Sequence, residues 1–178
     1  TTGTRAVISP VASDDELRSH LERALRSARS RGEAAPAPAA AEPAHGRVIT
    51  VVSPKGGSGK TIVAPNLAVG LASRSPGNVV HLDLNLQFGD VSIALGVTPQ
   101  HTIADAVSAL DDLDATTLKV FLTRHPSGLY ALCAPDEPAA GDAIPASAIT
   151  TVIGLIASQF GYVVIDTAAG LGEHPLTA

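Results

Sequence analysis

The sequence predicts an α/β domain built on a mostly parallel sheet flanked by helices, and three observations carry that prediction. Val48-Ile-Thr-Val-Val52 is an unbroken β-branched run, the mark of a buried strand, and it passes through glycines into a helical pattern beginning near Gly59. Two further apolar runs, Asn78 to Asp83 and Tyr162 to Asp166, each end in a carboxylate. Stretches of helical period lie between the strands, as parallel strands need long crossover connections.

Composition sets the bounds. A chain of 178 residues has room for one domain, or one domain and a fragment, and 45% apolar residues supply a sizeable core. Twelve basic and 17 acidic side chains leave a net charge of -5, which weighs against a dominant nucleic-acid footprint. The single Cys133 excludes an internal disulfide framework and sits in an apolar run as a small core residue. Six histidines, His20, His45, His81, His101, His125 and His174, lack ligand spacing and read as structural or surface residues. The apolar stretches are too short and too interrupted for a transmembrane segment, and the first residues lack a signal-peptide layout, so a cytoplasmic protein is the inference.

The first 46 residues stand apart. Ala6 to Pro10 can close a strand, Ser13-Asp14-Asp15-Glu16 caps a helix with acidic residues, and Leu17, Leu21, Ala24, Leu25 and Ala28 form its apolar stripe. This piece, residues 1–32, is similar to the last strand and helix of a response-regulator receiver domain, with Ser9 where such domains carry lysine, which implies a non-phosphorylated pseudo-receiver. An amphipathic helix packed on the main domain is the alternative. Residues 33–46, rich in Ala-Pro repeats, have no apolar period and read as a semi-rigid linker. The main domain then runs from residue 47 to residue 178.

Its opening loop, Ser53-Pro-Lys55-Gly-Gly-Ser-Gly-Lys60-Thr61, has the chemistry of a polyphosphate cradle. Gly56, Gly57 and Gly59 let backbone N–H groups close on phosphate oxygens, Ser58 lies between them, and the helix N-terminus adds a favourable dipole. Lys60 reaches toward the β- and γ-phosphates, and the Thr61 hydroxyl is a Mg²⁺ ligand. Pro54 and Lys55 depart from the standard pattern. This variant resembles the deviant Walker A loop of the MinD/ParA family of dimerising P-loop ATPases. The resemblance implies an ATP and Mg²⁺ site at Lys55 to Ile62, with Lys55 crossing to the partner's nucleotide in a homodimer formed through the nucleotide face.

The following helix carries Val63, Leu67, Val69, Gly70 and Leu71 and runs to about Ser73. Pro65 inside it predicts a late start or a kink, since an interior proline costs about 3 kcal/mol. Ile62 stands where the family has a hydroxyl on the α-phosphate, which predicts weakened nucleotide affinity. Asp83, at the carboxyl end of the second strand, falls beside the phosphate loop. It opens Asp83-Leu-Asn85-Leu-Gln-Phe-Gly-Asp-Val91, which resembles switch I of the CpaE/TadZ proteins of Flp/Tad pilus assembly at eight of nine positions. Asn85 replaces the carboxylate that the family uses on the attacking water. An amide positions water but cannot take its proton, so slow or absent hydrolysis is expected.

Thr102 to Leu110 and Asp114 to Leu122 have helical periods with polar starts, Arg124 to Pro135 reads as a turn into a strand, and Asp136 to Gly141 as a surface loop. Pro145 begins a helix that Gly161 stops. Asp166 ends the last strand as the Walker B candidate for a Mg²⁺ water, with Thr61 the other metal residue. Thr167-Ala-Ala-Gly170-Leu resembles switch II. Measured against that family the sheet is incomplete. The resemblance implies an ATP-binding protein that positions pilus or secretion assembly proteins, recruited to the cell pole or the inner face of the membrane. The catalytic group under this reading is Lys55, Lys60, Asp83 and Asn85. A hydrolysis-deficient scaffold and a DNA-partition or septum-site ATPase are the competing readings.

Overall fold

The computed structural model describes residues 46–169 and four isolated positions, Ser13, Asp15, Ser19 and Glu22. The chain divides into two compact units, Thr1–Glu42 and Pro43–Ala178. The expected receiver-like piece and the Ala/Pro-rich linker otherwise lie outside the described residues, as do Gly170 and Leu171 of the expected switch II.

Five strands form one sheet: β1 (Arg47–Val51), β2 (Val79–Leu84), β3 (Thr123–Arg124), β4 (Tyr130–Leu132) and β5 (Tyr162–Thr167). Their spatial order is β1-β5-β2-β4-β3; the first four run parallel and β3 pairs antiparallel with β4. Five α-helices accompany them: α1 (Lys60–Ala72), α2 (Val91–Leu95), α3 (Ile103–Ser108), α4 (Pro138–Asp142) and α5 (Ala146–Gln159). Tight 3₁₀ turns occupy Leu110–Asp112 and Thr117–Phe121.

The two sheet faces bury separate cores. On one, Val80, Leu82, Val163 and Ile165 meet Ile149, Val152 and Ile156 of α5, whose apolar residues recur at helical spacing. On the other, Val79, Ala131 and Val164 meet Ala64, Ala68 and Ala72 of α1. Strands β2 and β5, buried on both faces, are continuous apolar runs for that reason.

Four expectations need correction. Strand β1 is an outer strand with Val48 38% exposed, because its β-branched run says nothing about whether one neighbour or two will pair with it. Helix α1 starts at Lys60, with Pro65 buried inside it, so it does not start late. It turns its small residues Ala64, Ala68 and Ala72 to the sheet and leaves Val63 and Leu67 exposed, since close approach to strands admits small side chains. The Asp114 to Leu122 segment is a 3₁₀ turn rather than a helix: the Asp114 carboxylate accepts from the N–H groups of Thr116 and Thr117, each at 2.8 Å, and holds the chain tight. Asp136 to Gly141 is not a plain loop, because Pro138 starts the short helix α4 with its φ already set.

Candidate functional site

The parallel strands end together, and their loops gather at one edge. Strand β1 leads into Ser53, whose Oγ accepts from the Lys55 N–H at 3.3 Å and shapes the turn. Gly57 (φ 68°) and Gly59 (φ 84°) both occupy left-handed backbone, which a side chain would strain. A Cβ on either would meet nothing within 4 Å, so the space beside both residues is open. Gly59 caps α1, whose Ile62 and Val63 N–H groups turn back to the Gly59 carbonyl. The Lys60 and Thr61 amides that open the helix have no acceptor within it, and they carry its positive dipole.

The register sets the carboxylates. Val51 lies across from Asp166, and Asp166 lies across from Asp83, so the three strand ends align. Thr167 Oγ1 donates to the Val51 carbonyl at 2.8 Å and ties β5 to the last residue of β1. Gly56 approaches Ala169, which brings that loop against the expected switch II. Asp166 is fully buried; its Oδ1 accepts from the Thr167 N–H at 3.1 Å, and its Oδ2 has no partner among the described residues. A buried carboxylate oxygen without a donor is costly unless something completes it. That oxygen, and the Thr61 hydroxyl on the first turn of α1, fit a hydrated Mg²⁺. Among the described residues no cluster of three His, Cys, Asp or Glu side chains could hold a metal alone. Phosphate oxygens and water would have to supply the remaining ligands, as is usual for Mg²⁺.

Asp83 is buried as well, and it organises the loop that follows. Its Oδ1 accepts from the Asn85 N–H at 3.0 Å, and its Oδ2 from the Val91 N–H at 3.3 Å. Burial pushes its carboxyl up to about 7 against those two N–H groups, with the negative charges of Asp166 and Asp90 adding to the rise. Gly89 packs so close that a Cβ there would run into Asp83 Oδ2 and Ala134. Asn85 closes the turn: its Nδ2 donates to the Phe88 carbonyl at 2.7 Å, and its own carbonyl accepts from the Phe88 N–H at 3.2 Å. Gln87 Nε2 donates to Asp142 Oδ1 at 2.6 Å, anchoring the loop to α4.

Lys60 is half-buried at the helix start, whereas Lys55 stands exposed on the loop. Ile62 is 71% exposed on the outer side of α1. Cys133 is buried and its thiol is pushed up to about 12, chiefly by that burial, so it is inert packing. Nothing in the sequence signals the tie from Thr167 to Val51 or from Gln87 to Asp142, because the partners lie 116 and 55 residues away. Among the described residues no helix is long and apolar enough to cross a membrane.

A mostly parallel sheet flanked by helices, with a glycine loop between its edge strand and a covering helix, defines a P-loop NTPase fold. No known protein-family profile matches the sequence. The antiactivator FleN of Pseudomonas aeruginosa is 31% identical over 135 residues, covering 71% of this chain and 44% of FleN. A ParA family ATPase from Chlorobium tepidum TLS superposes with a TM-score of 0.69 at 29% identity, covering 75% of this chain and 55% of that one. The septum site-determining protein MinD of Pyrococcus horikoshii OT3, solved with Mg-ADP, gives 0.64 at 27% identity, covering 74% and 53%. These relatives support the MinD/ParA family of P-loop ATPases for this chain. The chain spans about half the length of the relatives it matches.

Proposed function

We propose that this chain supplies the phosphate-binding half of a MinD/ParA-type protein that binds ATP with Mg²⁺, dimerises around the nucleotide and positions pilus-assembly machinery of the Flp/Tad kind. One observation carries the nucleotide reading: an open glycine loop at the helix N-terminus follows the strand end that pairs with a buried carboxylate, Asp166, that still has a bare oxygen. The loop amides and Lys60 hold the phosphates, Thr61 and Asp166 hold the cation with its water, and exposed Lys55 is free to reach a second protomer. Bound Mg²⁺ would neutralise charge developing on the phosphates. Asp83, through Asn85 and Val91, fixes the loop that would sense the terminal phosphate. A nucleotide in a relative solved with Mg-ADP points the same way.

The test is a titration of the full-length protein with a fluorescent ATP analogue, with and without Mg²⁺. Lys60→Ala should weaken binding at least tenfold, the loss of a charge-assisted contact of about 1.5 to 3 kcal/mol. A wild-type protein that binds no nucleotide would end the proposal.

The pilus assignment rests on the Asp83 to Val91 loop, and a septum-site or partition role is the competing assignment. Loss of polar localisation when the pilus apparatus is deleted supports the first, whereas ATP-dependent, salt-sensitive DNA binding supports partition. Asn85 favours a second reading of the chemistry, a scaffold that binds ATP without turnover, because an amide cannot take a proton from water and one of its two hydrogens is committed to the Phe88 carbonyl. Under this reading Asn85→Asp raises single-turnover hydrolysis above a wild-type background near zero. Multiple turnovers by the unmodified protein would remove it.

A further inference from the structure

His81 sits in the middle of the central strand β2, fully buried, on the face covered by α1, with Val79 and Asp83 as its neighbours on that face. Its Nδ1 lies 2.9 Å from the carbonyl oxygen of Val164, the residue opposite it on β5. A carbonyl only accepts, so the proton must be on Nδ1, and the tautomer is fixed. Nε2 is therefore a bare acceptor, and it has no partner. Two residues beyond Val164 on the same face of β5 stands Asp166, whose Oδ2 is the other buried side-chain atom without a partner among the described residues. The strand rise puts those two β5 positions about 7 Å apart. The two groups sense each other: burial lowers the basicity of His81, the Val164 hydrogen bond opposes that, and the charge of Asp166 opposes it too.

Both atoms accept and neither can donate to the other. A buried water needs two to four polar partners, and it has two hydrogens to give. We propose that one buried water, lying between the sheet and α1, donates one hydrogen to His81 Nε2 and the other to Asp166 Oδ2. A carboxylate oxygen accepts two hydrogen bonds, so a lone pair of Oδ2 is left for the water shell of the cation. His81 is then a positioning residue: through that water it holds the Asp166 carboxylate. This second part rests on the cation role given to Asp166 above. Partners of this outer kind change metal affinity by 10- to 100-fold when removed.

The first experiment is ¹⁵N-resolved NMR of the His81 ring in the full-length, Mg²⁺-free protein. The expected state is protonated Nδ1 with a hydrogen-bonded, unprotonated Nε2. In Asp166→Asn the Thr167 N–H keeps the remaining oxygen on its own side, so nitrogen takes the Oδ2 place, the demand on the water reverses and the Nε2 resonance moves. A protonated Nε2, or a resonance indifferent to Asp166→Asn, overturns the water bridge. The second experiment uses His81→Asn, whose amide still donates to Val164 but offers nothing at the Nε2 place. The Mg²⁺ concentration that half-saturates the effect on nucleotide binding should rise about tenfold, with metal-free nucleotide affinity and melting temperature nearly unchanged. If Asp166→Asn raises that midpoint and His81→Asn does not, the positioning role is overturned alone. If Asp166→Asn leaves it unchanged, the cation reading of Asp166 fails, and the NMR arm still decides the bridge.

Discussion

Asp83 shows how one side chain both builds and strains the site. Its carboxyl gathers two loop N–H groups, yet burial and nearby negative charge raise it from 3.8 to about 7. A carboxyl raised on folding contributes stability that is fully present below the unfolded value and lost as pH rises through the folded one. Between pH 4 and pH 8 that loss amounts to about 4 kcal/mol, at 1.36 kcal/mol per unit. His81 is shifted the opposite way and costs stability as pH falls through about 6.5, so the total profile mixes both. The difference between Asp83→Asn and wild type isolates Asp83: in urea melts the asparagine variant should gain steadily on wild type from pH 4 to pH 8. A flat difference would show that Asp83 is not the buried acid described. The sequence made Asp83 and Asp166 legible because each ends an apolar strand beside a glycine loop. It could not reveal that they face one another in register, or that His81 shares their face, because those facts depend on pairing between residues about 80 positions apart.

At the scale of elements, local chemistry was readable where it closes locally. Thr102 and Asp105 form a capping box at the start of α3: Asp105 Oδ2 accepts from the Thr102 N–H at 2.7 Å and from its hydroxyl at 3.1 Å. Asp105→Ala should therefore lower stability by about 1 kcal/mol, seen as a lower urea midpoint with an unchanged slope; no shift would mean that the cap is replaced by water at no cost. Helix α1 was less readable. Apolar residues surround it, so pattern alone could not choose the face, and the sheet selected Ala64, Ala68 and Ala72 because larger side chains would hold the helix away. Pro65 persists within that helix because its missing N–H costs one bond while its ring is buried.

At the scale of the whole described unit, the sheet has a closed edge and an open one. Short, two-residue β3 ends the sheet at one edge, a length that offers little template for further pairing. At the other edge β1 is five residues long, pairs only with β5 among the described strands, and leaves Val48 38% and Val52 49% exposed. Leu67 and Val63 add exposed apolar surface on α1, the helix over that half of the sheet. An edge strand with free backbone groups and β-branched side chains is a template for a second strand, and beyond Arg47 at its first residue β1 has no charge to block one. The unit Pro43–Ala178, prepared alone, should therefore self-associate with rising concentration in sedimentation velocity runs. Val48→Lys combined with Val52→Lys places two ammonium groups along that edge and should return it to a monomer. Because both valines are already more than a third exposed, the substitutions should cost less than about 1 kcal/mol of stability. Association that persists in the double lysine variant would move the sticky surface elsewhere, to Phe88 in the loop after β2 and Ile93 on α2, which are 72% and 78% exposed.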